Sequence, residues 1–211
     1  MSGLLIVGAG GHGKVVADMA RQIGKWDRIS FLDALYPELK EVGDWQVVGT
    51  DEDAPGLRDA YPDLIVAIGD PNIRVKLIRA FQAEGFSIPV LVHPQASVSD
   101  SAKLEAGTVV FAQAAINYGA RLGVGCIVNT SASVDHDCRL GMGVHVCPGA
   151  HLSGEVMVGE RGWVGVGASV IQQITIGANT TVGAGAAVVS DLPAGVTAVG
   201  VPALVTGGTV Q

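Results

Sequence analysis

Residues 98–187 divide into sixes: VSDSAK (98–103), LEAGTV, VFAQAA, INYGAR, LGVGCI, VNTSAS, VDHDCR (134–139), LGMGVH, VCPGAH, LSGEVM, VGERGW, VGVGAS, VIQQIT, IGANTT and VGAGAA (182–187). Every hexad opens on Val, Leu or Ile, and so does position 188, making sixteen aliphatic residues in one unbroken frame. A strict six-residue period is the signature of a β-helix coil. The fifth position is mostly small: Ala102, Thr108, Ala114, Ala120, Cys126, Ala132, Cys138, Val144, Ala150 and Val156. First and fifth positions are therefore expected to point into a narrow interior, with the frequent glycines between them at tight corners. Cys126 and Cys138 then read as core filler. Three hexads close one triangular coil, so residues eighteen apart should stack, and five coils fit. No insertion breaks the frame, so the rod has no loops of its own to wall a site.

Residues 1–93 follow another grammar. Leu4–Val7 reads as a buried strand and Gly13–Ile23 as a helix with Val15, Val16, Met19, Ala20 and Ile23 on its apolar side. Strands at Ile29–Leu32 and Leu64–Ile68 complete an expected small parallel sheet of about three strands, followed by a helix over about 72–84 and then Val90–Val92. That order implies Rossmann-like α/β winding. His93-Pro94 ends it, giving a Rossmann-like domain over 1–93 and a β-helix domain over 94–211.

The chain has 211 residues, three cysteines and a net charge of −7. With no basic stripe visible along the sequence, nucleic acid is not an expected partner. Mean hydropathy is +0.41, yet no apolar run approaches the length of a membrane span. The start leads directly into a strand and does not read as a signal peptide. Cys126, Cys138 and Cys147 lack metal-ligand spacing. A reducing cytoplasm is the expected setting.

Two constellations could carry chemistry. Gly8-Ala9-Gly10-Gly11-His12-Gly13 fits G-x-G-x-x-G between a strand and a helix, and Asp33 ends the next strand. Such a loop brings backbone close to a pyrophosphate at a helix N-terminus, while the acid bonds a ribose. Either a nucleotide-sugar or a nicotinamide cofactor would suit it. The second is Val134-Asp135-His136-Asp137-Cys138, which puts His136 and Asp137 outward at a corner, with a carboxylate able to orient the ring. Stacking arithmetic sets His136, Gly154, Gln172 and Ser190 in one column and His145, Trp163 and Thr181 in another. His136, His145 and His151 are nine and six apart and fall at different corners or faces of one coil. They cannot converge within a subunit, and no metal is expected.

The chain resembles the hexapeptide-repeat sugar acyltransferases, which include sialic acid O-acetyltransferases and bacterial nucleotide-amino-sugar N-acetyltransferases. The resemblance rests on Gly8 to Asp18 (GAGGHGKVVAD), Val92-His93-Pro94, the hexads, VDHDC (134–138) and Gly200-Val201-Pro202-Ala203. It implies a Rossmann-like domain followed by a left-handed β-helix. It also implies a homotrimer whose active sites lie between subunits, and acetyl-CoA as co-substrate. His136 looks like the family's general base, Asp137 like its acidic partner and Gly154 like the amide donor to the thioester carbonyl. His145 is similar to a histidine close to acetyl-CoA; Trp163 and Gln172, in the two columns, join the acetyl-CoA side. Gly8, Gly10, Gly11, His12, Gly13, Lys14 and Asp33 look like the nucleotide-sugar site. Leu204 stands where such transferases often carry a basic residue, and Thr206–Gln211 has no basic residue. The implied activity is N-acetylation of a nucleotide-linked amino sugar in cell-surface glycan synthesis. Sugar O-acetylation and a non-catalytic nucleotide-sugar binder are the alternatives.

Overall fold

A computed structural model describes residues 2–208. The chain divides into two compact units, 1–93 and 94–211.

The first unit is an α/β layer built on β1 (Gly3–Val7), α1 (Gly11–Ile23), β2 (Arg28–Leu32), β3 (Glu41–Val42), β4 (Trp45–Gly49), α2 (Ala54–Leu57), β5 (Asp63–Val66) and α3 (Pro71–Ala83). The sheet runs β3-β4-β2-β1-β5, all parallel except the β3–β4 pair. Every residue of β1 and β5 is buried, as expected of parallel strands covered on both faces. Helix α3 starts at Pro71 because the Asp70 carboxylate accepts from the backbone N–H groups of Asn72 and Ile73 at 2.7 and 3.0 Å. Two expectations need correction. Val15 is half exposed, since the buried stripe of α1 follows Val16, Met19 and Ala20, and Val15 falls one position off that face. The sheet has five strands, because β3 and β4 form a hairpin whose Gly43 has φ +58°. From β4 the chain crosses to β5 on the far side of β1. The crevice at the carboxyl ends of β1 and β5 is thus the switch point where α/β sheets bind ligands.

In the second unit two-residue strands begin at every sixth residue from Ser97 to Ala187 and fall on three faces. Residues eighteen apart pair in parallel register, as in Ser133 with His151, Arg121 with Arg139 and His145 with Trp163. This is a parallel β-helix with no interruption in its frame. From Val110 to Val188 every first position is at most 4% exposed; Val98 and Leu104, in the first coil, are only half-buried. The thiols of Cys126 and Cys138 lie inside and donate to the carbonyls of Gly141 and Ser153 at 3.2 and 3.1 Å. Burial pushes the Cys138 thiol up to about 11, so it is inert packing. The corners are made at the fourth hexad position, where φ lies between +56° and +72° from Gly107 to Gly185. Glycine is not obligatory there: Gln113, Ser131, Asp137, Glu155, Arg161, Gln173 and Asn179 adopt the same left-handed geometry. No described helix is long and apolar enough to cross a membrane.

Candidate active site

His136 and Asp137 occupy the corner between the strands Ser133–Val134 and Arg139–Leu140. The left-handed backbone of Asp137, φ +58°, sets its carboxylate beside the preceding ring. Nδ1 of His136 and Oδ2 of Asp137 are 3.1 Å apart, and both side chains are about half exposed. The Asp137 carboxylate beside Nδ1 raises the His136 pKa above its ordinary 6.5. With Nδ1 donating to Asp137, Nε2 of the neutral ring is left as an acceptor. Asp135 fixes the turn from below: it accepts from the His136 N–H at 2.7 Å and from Nδ2 of Asn117 at 2.8 Å.

The stacked column is real and crowded. The His136 ring lies against Gly154, where a Cβ would come to 2.5 Å of Cε1 and 3.0 Å of Cδ2. Only glycine leaves the ring its place. Asp137 has the same relation to Gly119 one coil earlier, where a Cβ would meet its Oδ1 at 2.6 Å. The Gly154 N–H donates to no acceptor in the described structure. Gln172 follows in the column and is exposed. Tyr118 precedes His136, its carbonyl accepting from the Asp137 N–H at 2.9 Å, and its ring is 70% exposed.

His145 and Trp163 stand on a different face, in register on paired strands. Their rings meet edge to face with centroids 4.3 Å apart, and Nε2 of His145 lies 3.2 Å from Nδ2 of Asn129. His145 is buried and Trp163 half-buried. Within one chain, the structure thus gathers His136, Asp137 and Gly154 at one corner, and His145 with Trp163 on another face. Among the described residues no group of three His, Cys, Asp or Glu is placed to hold a metal ion.

In the first unit the glycines of the loop differ in what they do. Gly8 turns the chain with φ +102°, and Gly10 and Gly11 are exposed with open space where a side chain would be. Gly13 packs the helix on the strand: a Cβ there would run into the Gly8 carbonyl and reach 3.1 Å from Phe31 Cε1. Gly13→Ala should therefore cost about 1–3 kcal/mol, read as a lower urea midpoint at unchanged slope; an unchanged midpoint would refute the close packing. Asp33 locks the loop by accepting from the Ala9 N–H at 2.7 Å and the Leu35 N–H at 3.0 Å. It also lines a cavity of about 420 Å³ with Gly8, Asp51, Ile68, Ile73, Lys76 and Leu77. His12 is neutral at physiological pH, lowered to about 4 by burial and then by the Arg74 guanidinium. Arg74 is itself buried, Nη1 donating to the Ile68 and Gly69 carbonyls at 2.8 and 2.7 Å. Lys14 is exposed in the first turn of α1.

Several partners escaped the sequence. Asn117, Tyr118 and Gly119 lie eighteen residues before Asp135, His136 and Asp137, so subtraction of one coil would have found them. Asp51 and Lys76 come from separate elements at irregular spacing, and no motif announces them.

The PglD N-terminal domain family matches residues 3–81. A UDP-N-acetylbacillosamine N-acetyltransferase from Bacillus subtilis (strain 168) is 39% identical over 114 residues, 53% of this chain and 52% of that protein. The match thus spans about half the length of that relative. Two solved structures are similar over nearly their whole length. The acetyltransferase domain of PglB from Neisseria gonorrhoeae FA1090, in complex with acetyl coenzyme A, has 45% identity and a TM-score of 0.91, covering 96% of this chain and 98% of that one. Perosamine N-acetyltransferase from Caulobacter crescentus, a histidine-to-asparagine variant in complex with CoA and GDP-perosamine, has 46% identity and a TM-score of 0.92, covering 97% of each chain. With an α/β unit and a β-helix in the same order and this likeness from end to end, the chain belongs to the hexapeptide-repeat sugar acyltransferase family.

Proposed function

We propose that this protein transfers the acetyl group of acetyl-CoA to the amino group of a nucleotide-linked amino sugar, such as a 4-amino-4,6-dideoxy sugar. The observation that carries the reading is the 3.1 Å Asp137–His136 contact with Gly154 beneath the ring. The neutral amine attacks the thioester carbonyl and Nε2 of His136 takes its proton. The C–S bond then breaks and the proton passes to the departing CoA sulfur. Asp137 holds the tautomer and stabilises the imidazolium that forms. The Gly154 N–H donates to the oxyanion. His145, Trp163 and Gln172 line the acetyl-CoA path. The glycine loop with His12, Lys14 and Asp33 takes the nucleotide.

The working assembly is a homotrimer with sites between subunits, in the cytoplasm, serving cell-surface glycan synthesis. Two observations support the assembly. The His136 and His145 groups stand on different faces of one rod, and the frame supplies no loop to cover either. A thiol-release assay with acetyl-CoA against a panel of nucleotide-linked amino sugars tests the activity. CoA release with at least one of them is expected. Release only with hydroxyl acceptors would make the protein an O-acetyltransferase, and none with any acceptor would leave a binding role.

A further inference from the structure

Residues 94–211 hold four Lys or Arg against seven Asp or Glu. Three of the four stand in one column on the outside of one face: Arg121 pairs in register with Lys103 before it and Arg139 after it. All three are exposed and none makes an ion pair or side-chain hydrogen bond among the described residues. The fourth, Arg161, pairs with Glu160 and Asn179 elsewhere. Adjacent rungs are about 4.8 Å apart, and like charges directly opposite one another destabilise a sheet. The fold gains nothing from this stack.

The same face bears a groove of about 490 Å³. Beside the cations its floor is Gly123, Gly141 and Gly159. Side chains are excluded there, since a Cβ at Gly123 would lie 2.8 Å from the Met142 nitrogen and one at Gly141 2.6 Å from the Glu160 nitrogen. The lining is thus cationic along the column Lys103, Arg121 and Arg139, with one carboxylate, Glu105, and bare backbone at the three glycines. Arg139 also lines a second cavity, of about 370 Å³, with Asp137, Glu155 and Met157. The column thus ends beside the His136–Asp137 pair. An acidic chain without a linear basic stripe acquires one through its eighteen-residue register.

We propose that Lys103, Arg121 and Arg139 form a track for an organic diphosphate, the guanidinium forks of Arg121 and Arg139 gripping phosphate oxygens and Lys103 adding a point charge. The proposal rests on the acetyl-transfer reading, in which both co-substrates carry a diphosphate: the nucleotide-sugar and CoA. Titration calorimetry of the whole chain with UDP, GDP and CoA tests it. In the double variant Lys103→Ala, Arg121→Ala the affinity for one of these probes should fall by about tenfold or more, with a flatter dependence on ionic strength. A loss confined to CoA assigns the track to the acetyl donor, as expected if the glycine loop holds the nucleotide's diphosphate; a loss confined to UDP or GDP assigns it to the nucleotide-sugar and overturns the placement of that diphosphate on the glycine loop. Thermal stability should hold, because removing stacked like charges relieves repulsion; Arg121→Gln alone serves if the double variant is unstable. Unchanged affinities for all three probes, no binding by the parent protein, or an equal loss in Arg161→Ala would each overturn the proposal. Acetyl transfer is read separately by thiol release with the unmodified protein. Column-dependent diphosphate binding without transfer would refute the activity and leave the track standing.

Discussion

Replacing His136 by Asn or Ala is expected to lower turnover by about 10²–10⁴-fold, the range a positioned general base contributes, while acetyl-CoA affinity stays nearly intact. The ring is half exposed and stands outside the core, so the variant should fold and melt like the parent. The pH profile carries the sharper information. The base works as neutral imidazole, and Asp137 raises its pKa above 6.5. The acid limb of kcat/KM should therefore lie above 6.5, with activity rising as pH increases through it. Asp137→Asn removes the charge that favours the imidazolium, so the limb should move to lower pH while the plateau falls with the lost tautomer control. A His136 variant with near-normal turnover, or a limb that does not move in Asp137→Asn, would refute the dyad.

Gly154→Ala is expected to lose about 10²-fold in turnover, the scale of a misplacement of about 1 Å in a reacting group. Its backbone lies outside the left-handed region, so alanine meets no strain in the chain itself. The conflict is with the His136 ring, whose Nε2, Cε1 and Cδ2 are the three atoms nearest to such a Cβ. The ring must swing away, breaking its 3.1 Å contact with Asp137. Stability should change little, since an exposed ring can move at small cost, and in a His136→Ala background the glycine substitution should have almost no further effect. Such non-additivity marks two residues acting as one device. Full activity in Gly154→Ala would show that the ring's position against the glycine is irrelevant to turnover.

The second unit was legible because one periodicity governs it. Once Val134 is placed inside, the corner position of His136 and its stacking on Gly154 follow by counting. The first unit was legible only in part. The glycine loop announced itself, but the hairpin at residues 41–49 did not. Its first strand has two residues, too few for an alternation to register, and its turn depends on one left-handed glycine. The nucleotide side shows the same limit: Asp51 and Lys76 meet Asp33 across a crevice that forms only when separate strands align. The cationic column was hidden for the opposite reason. Lys103, Arg121 and Arg139 look like isolated surface charges until the register sets them side by side.

The unbroken frame also constrains how such a molecule can change. A single inserted residue inside residues 98–188 must bulge out as a loop at a corner or else, like a deletion, turn every later aliphatic side chain out of the interior, so a length change that keeps the rod free of loops comes in whole coils. Adding one coil of eighteen residues would move everything beyond it by about 4.8 Å along the axis and leave the packing as it was. Distances between Tyr118, His136 and Gly154 can thus be reset only in equal steps, as on a ratchet. Fine adjustment to a new acceptor falls instead to side-chain replacement within a rung, where the fourth position already admits Asp, Glu, Gln, Asn, Ser and Arg at the same corner.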